Sequence, residues 1–237
     1  MRFSSTSTTK QNRSQTEMEG RLLEIFRRLF KAFGPQRWWP GDDPFEIILG
    51  AILTQSANWG NVEKALGNLK EVGALNPPTL RNMPLEELAR LIYSSGYYNA
   101  KAAKIKAFVN RLGEAYGDDL ERLFALEPQQ LRQELLSIYG IGEETADAII
   151  LYVALKPMFV VDNYTRRTFN RLGLAPSRGD YRSFQAMFHH HLPQDTELFN
   201  EYHALIVRHG KEVCRKEPLC HVCCLNSLCP TFAKKGR

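Results

Sequence analysis

Apolar residues recur at helical spacing along most of the chain. Leu22, Ile25, Phe26, Leu29, Phe30 and Phe33 mark one face of an amphipathic helix that starts near Met18 and is closed by Gly34-Pro35. Asp43, Pro44 and Glu46 form a capped start for a second helix, with Phe45, Ile48, Leu49, Ile52 and Leu53 on its buried face. Further helices are predicted over residues 62–72, 85–92, 100–112 and 120–124, each punctuated by Pro, Gly or Asn. No stretch alternates as a half-buried strand would. The short spacers predict a compact all-α body over about residues 45–155.

The most informative pattern lies at residues 131–155. Leu131, Leu135, Leu136 and Ile138 form one short apolar face, and Ala146, Ile149, Ile150 and Val153 form another. Gly140-Ile141-Gly142 separates them, so the segment reads as helix, tight hairpin, helix. Both glycines can take positive φ without penalty, and both leave backbone N–H groups uncovered where the second helix begins. Such a helix end attracts phosphate, which makes the hairpin a candidate DNA-backbone clamp. After the extended run 158–161 comes Asp162, a carboxylate that follows four apolar residues. It reads either as the N-cap of the helix carrying Arg166 to Leu172 or as a group with chemistry to perform.

With 237 residues and 43% hydrophobic content, the chain can bury a large core. A net charge of +5 permits a polyanionic partner without requiring one. No apolar run approaches the ~18 residues of a membrane span, and the start lacks the apolar core of a secretory signal, which predicts a soluble intracellular protein. Residues 1–15 are Ser- and Thr-rich, basic and free of acids, and are expected to be a disordered arm, with an organelle transit peptide as the alternative. All five cysteines fall within 214–229, and Cys214, Cys220, Cys223 and Cys229 follow C-x5-C-x2-C-x5-C. Four clustered thiolates suit a [4Fe-4S] cluster or zinc. The spacing favours the cluster, since it holds only one short knuckle where zinc sites usually pair two. Cys224 is then the spare thiol, and the consecutive His189, His190 and His191 read as surface helix because neighbours point to different faces.

Gly140-Ile141-Gly142, then Thr145-Ala146, Val161-Asp162, Arg167 and Asn170-Arg171 fall in an order that resembles the helix-hairpin-helix DNA glycosylases of the endonuclease III superfamily. The likeness runs from about Met18 to the C-terminus. It implies an all-α, two-lobed fold with a C-terminal iron-sulfur loop at 214–229. The domain layout expected from it is an arm at 1–15, a helix at 16–44 that joins the C-terminal lobe 157–237, and a helical barrel lobe at 45–156. In that family the active site lies in the cleft between lobes. The family's cysteine loop has nearly the spacing seen here, with the first gap one residue longer, which further favours [4Fe-4S]. Bifunctional members carry a lysine immediately before Thr-Ala, where this chain has Glu144. A carboxylate forms no Schiff base, so strand nicking is expected to be absent.

The resemblance narrows further, to 3-methyladenine DNA glycosylases of the third type, on Trp38-Trp39-Pro40, an aromatic at Trp59, Glu144 and Asp162. It implies that Trp38 and Trp59 stack on an extruded base and that Trp39 and Pro40 shape its pocket. Electron-rich indoles suit N-alkylated purines, which are cationic. Buried packing is the plainer reading of three tryptophans. Asp162 is the expected catalytic carboxylate. Glu144 is either a pocket member, paired with a base such as Lys211, or a first-turn surface acid. Gln55 and Tyr97 correspond to the residues that fill the gap in the duplex, or are ordinary helix-end and loop residues. Together with Gly140, Gly142 and Thr145 they form the expected DNA contacts. The expected partner is double-stranded DNA with a damaged base, bound by a monomer in the cytoplasm or nucleoid, or in the nucleus or an organelle of a eukaryote. A glycosylase for mismatched thymine, uracil or oxidised pyrimidines, and a non-catalytic DNA-binding module, are the alternatives.

Overall fold

A computed structural model of the chain describes residues 6–36, 38 and 43–235, apart from the side chains of 6–14 and 235. In order, its helices are α1 (Thr6–Phe33), α2 (Pro44–Leu53), α3 (Trp59–Glu71), α4 (Pro77–Asn82), α5 (Leu85–Leu91), α6 (Tyr98–Tyr116), α7 (Leu120–Phe124), α8 (Pro128–Ser137), α9 (Glu143–Tyr152), α10 (Asn163–Arg171), α11 (Tyr181–His191), α12 (Thr196–Glu212) and α13 (Pro230–Lys235). No strand occurs among the described residues. No described helix is long and apolar enough to cross a membrane. The chain divides into two compact units, Trp39–Met158 and Met1–Trp38 with Phe159–Arg237.

The unit Trp39–Met158 is built round α2. Asp43 accepts the Phe45 N–H at 2.8 Å and Pro44 occupies the first turn, so the helix starts where its capping residues dictate. From Ile47 to Leu53 every residue is buried, as an apolar helix without a polar face must be. It packs on α3, α6 and α9. Each buried Ile or Leu there contributes ~1.5–3 kcal/mol. The C-terminal end of α2 is fastened by Lys101, 1% exposed, whose ammonium donates to Leu53 O at 2.7 Å and Ser95 O at 2.6 Å. Burial, with a smaller push from Lys104, lowers the Lys101 pKa to about 8. The segment after α2 and the 3-10 turn Tyr93–Ser95 are thereby held together. Helix α4 carries no periodic signal, since only Leu80 is buried, but Asn76 caps it and Pro77 opens it.

In the other unit α1 packs on α11 and α12. Its Leu22, Ile25 and Leu29 are buried, and the Tyr202 hydroxyl donates to Leu22 O at 2.8 Å. The expectation of a disordered arm over 1–15 is corrected for residues 6–15, which continue α1. Extending an established helix fixes one residue per added bond, far cheaper than nucleating one, so a polar segment can follow a strong amphipathic one. Residues 1–5 lie outside the described residues.

The extended run that leads to Asp162 lies along α11. Phe159 N–H donates to His189 Nε2 at 3.1 Å, Gln185 Nε2 donates to Phe159 O at 2.8 Å, and Val161 N–H meets the Tyr181 hydroxyl at 3.3 Å. Side chains thus take the backbone groups that a strand partner would otherwise satisfy. His189 is therefore half-buried structure, which corrects the surface reading for that residue, whereas His190 is exposed.

Candidate active site, hairpin and cysteine cavity

Asp162 closes the extended run and caps α10. Its Oδ1 accepts the Thr165 N–H at 2.7 Å. Capping occupies one carboxylate oxygen only. The other, Oδ2, lies 3.8 Å from Nε2 of His203, with the two side chains 12% and 6% exposed. His203 belongs to α12, and its burial lowers its pKa against the opposing pull of the Asp162 charge. The imidazole is thus neutral near pH 7, and its contact with the carboxylate is dipolar. On the face of that imidazole lies Trp38, with ring centroids 5.5 Å apart and planes 16° from parallel. Phe159 meets the same ring edge-on at 6.5 Å. A flat, electron-rich indole and a half-capped carboxylate are therefore both in contact with one buried ring. Trp39 and Pro40 lie outside the described residues. Lys211 is exposed near the end of α12.

Four cysteines meet in the same unit. Cys214, Cys220, Cys223 and Cys229 line one small cavity with Val213, Pro218, Leu219 and Phe232, and Cys224 is not among its lining residues. That division matches the ligand set expected from spacing. Arg171 of α10 donates to Cys214 Sγ at 3.2 Å and to the carbonyls of Arg215 and Lys216. Arg167 donates to Cys214 O and Gly210 O, both at 2.7 Å. His209 Nε2 is 3.3 Å from Cys223 Sγ, and the Leu225 N–H points at the same sulfur from 3.4 Å. Cationic and N–H donors around clustered sulfurs offset the charge of a thiolate set. Among the described residues no three His, Cys, Asp or Glu side chains converge on a single-ion position. A four-iron cluster takes one thiolate per iron and does not need such convergence. Its donor set is compatible with these residues.

In the other unit the hairpin forms between α8 and α9. Only Gly140 needs left-handed backbone, at φ 79°, and a Cβ there would fall 2.2 Å from Lys104 Cγ. Gly142 does not use that freedom: it is extended, at φ −92°, and stands at the N-cap of α9 without a side-chain bond. Gly142, having no side chain, supplies no cap to the opening N–H groups of α9 and leaves room for a phosphate to approach them. Thr145 is buried and its hydroxyl accepts Gln55 Nε2 at 2.9 Å, while Gln55 Nε2 also donates to Gly140 O at 3.2 Å. Lys104 donates to Gln55 Oε1. Gln55 therefore braces the hairpin from the end of α2. Tyr97 stands at a left-handed position, φ 47°, and is 75% exposed, so its ring is available to a partner. Glu144 is exposed in the first turn of α9. The Trp59 indole N–H donates to Glu63 at 2.7 Å, and the ring lines a groove with Glu46, Ile47 and Leu66.

Three contributors escaped the sequence reading. His203 carried a signal, a polar residue on the apolar stripe of α12 beside Phe199, Tyr202 and Ile206. Lys104 carried none, because a lysine on a surface helix is ordinary. The pair Arg132 and Asp147, which joins α8 to α9 at 2.7 and 3.1 Å, left only the clue of an acid among the apolar residues of α9.

Comparison with known proteins places this geometry. Residues 49–194 match the family described as HhH-GPD superfamily base excision DNA repair protein. A candidate DNA repair glycosylase of Methanocaldococcus jannaschii is 41% identical over 209 residues, covering 88% of this chain and 95% of the relative. Endonuclease III of Thermotoga maritima is 31% identical over 217 residues, covering 91% of this chain and 95% of that one. Among solved structures, 3-methyladenine DNA glycosylase of Helicobacter pylori, bound to 1,N6-ethenoadenine, superposes with a TM-score of 0.69 at 27% identity, covering 84% of this chain and 97% of the other. With a glycine hairpin, a carboxylate at the head of α10 and this span of shared sequence, the chain belongs to the helix-hairpin-helix base excision repair superfamily, of the endonuclease III type, and is a DNA N-glycosylase.

Proposed function

We propose that the protein is a monofunctional glycosylase that removes alkylated purines such as 3-methyladenine from double-stranded DNA. The observation that carries this reading is the contact set of His203, which has an indole on its face and the Asp162 carboxylate at its edge. A cationic base is drawn to the Trp38 face by ~1–2 kcal/mol. Its C1′–N bond then breaks with the electron pair leaving on the base, which the positive charge of the alkylated ring accepts. Water bonds to C1′ and loses its proton to Asp162, whose charge stabilises the oxocarbenium-like sugar meanwhile. Trp59, Trp39 and Pro40 are the further pocket members proposed by resemblance, with Lys211 and Glu144. Glu144, standing where bifunctional relatives carry lysine, makes no Schiff base. The Helicobacter pylori neighbour, a 3-methyladenine glycosylase seen with an ethenoadenine, supports the same class of base.

The start of α9 with Gly140, Gly142 and Thr145, braced by Gln55, holds the DNA backbone, and the exposed Tyr97 fills the vacated position in the duplex. The enzyme acts as a monomer where genomic DNA is found, in the cytoplasm or nucleoid. Cys214, Cys220, Cys223 and Cys229 would hold a [4Fe-4S] cluster, supplying a cross-link for a tail too short to form its own core. Purified protein is expected to contain about four iron and four acid-labile sulfide per chain, and one zinc instead overturns that assignment.

The likeness to endonuclease III favours one other reading, excision of oxidised pyrimidines or of mismatched thymine or uracil. One assay separates them. Methylated duplex should yield free 3-methyladenine with both strands intact until alkali is added, and borohydride should trap no adduct. Release of pyrimidines only, or a trapped protein–DNA adduct, sinks the alkylpurine reading.

A further inference from the structure

We propose that His203 is the positioning residue of the active site, a single imidazole that sets both the Asp162 carboxylate and the plane of the Trp38 indole. The inference rests on the reading of Asp162 as the catalytic carboxylate. Asp162 Oδ1 is fixed by the Thr165 N–H, which leaves Oδ2 as the oxygen for water and sugar. His203 Nε2 lies 3.8 Å from it, and the proposed role requires that spacing to shorten to a hydrogen bond when substrate binds. On the opposite side of the requirement, the base needs a flat surface at a constant height, and the indole lies on the His203 ring at 16° from parallel. Phe159, placed edge-on to the ring, and the burial of His203 remove its freedom to tilt.

Chemistry explains why histidine stands here. The neighbouring core positions of α12, Phe199, Tyr202 and Ile206, are filled by side chains chosen for bulk. Phenylalanine at 203 would supply the aromatic face without a polar edge. Glutamine would supply an N–H donor near the Nε2 position without the face. Of these three, histidine alone offers both, so the distance from sugar-facing oxygen to base-facing indole is set within one side chain.

The test is single-turnover base release from methylated duplex by the full chain carrying His203→Phe or His203→Gln. His203→Phe should lower the maximal rate about 10²-fold, the cost of a carboxylate misplaced by about 1 Å, with the half-saturating protein concentration unchanged. His203→Gln should raise half-saturation roughly fivefold, as a lost aromatic stack does, with the maximal rate within about threefold of the parent. In an Asp162→Asn background His203→Phe should slow the residual reaction no further, because both changes remove one interaction. Equal loss of rate and affinity in both variants, unchanged kinetics in both, or a further full-sized loss in the double variant overturns the positioning role while leaving the glycosylase reading intact. A parent that releases no base from any substrate removes that reading and this inference with it.

Discussion

Asp162→Asn should lower the rate of base release about 10³-fold while duplex binding and stability stay at the parent level. The magnitude follows from the two duties assigned to the carboxylate. Acceptance of a proton from water contributes ~10²–10⁴-fold. Stabilisation of a developing charge by one preorganised group contributes ~10²–10³. The two act together in one side chain, so their factors do not simply multiply. Stability is preserved because asparagine caps a helix as well as aspartate, and Thr165 N–H keeps an oxygen to donate to. Asp162→Ala separates the duties: it should lose activity equally and in addition cost ~1 kcal/mol of stability through the missing cap. An Asn variant within threefold of the parent would mean that capping is all Asp162 does.

Local chemistry was readable from the chain and long-range pairing was not. The starts of α2, α10 and the α8–α9 hairpin are set by residues within four positions of each other, Asp43 with Phe45, Asp162 with Thr165, and Gly140 with Ile141 and Gly142. Such signals survive in sequence because their partners are neighbours. Cys214, Cys220, Cys223 and Cys229, which line one cavity, also lie close together in the chain. By contrast, Gln55 finds its partners 85 and 90 residues away, and His203 meets residues from two distant segments, Trp38 and Asp162. No spacing rule reports those meetings, since they depend on how helices pack. The arm failed for a different reason. Composition describes whether a segment can fold alone, and residues 6–15 instead extend a helix whose apolar face is buried further on.

Arg132→Ala is expected to destabilise the unit Trp39–Met158 by ~3–5 kcal/mol, more than any single surface change. Arg132 Nε and Nη2 donate in parallel to the two oxygens of Asp147, which is fully buried in the middle of α9, and Nη2 also reaches Glu143 at 3.4 Å. The loss is large because the variant takes the guanidinium fork away from a carboxyl at 0% exposure. Arg132→Lys keeps the charge but not the fork, so it should fall between parent and Ala. Replacing both partners with leucine removes the stranded charge and should recover most of the lost stability. Urea unfolding followed by hydrogen exchange of the α8 and α9 amides reads the effect where it arises, since global melting of two units need not be two-state. The consequence for function follows from the same bond: it joins the helices on either side of Gly140, so the single variant should also lose affinity for undamaged duplex. If Arg132→Ala changed stability by less than ~1 kcal/mol, the pair would be an ordinary surface bridge and the hairpin would owe its rigidity to Gln55 and Lys104 instead.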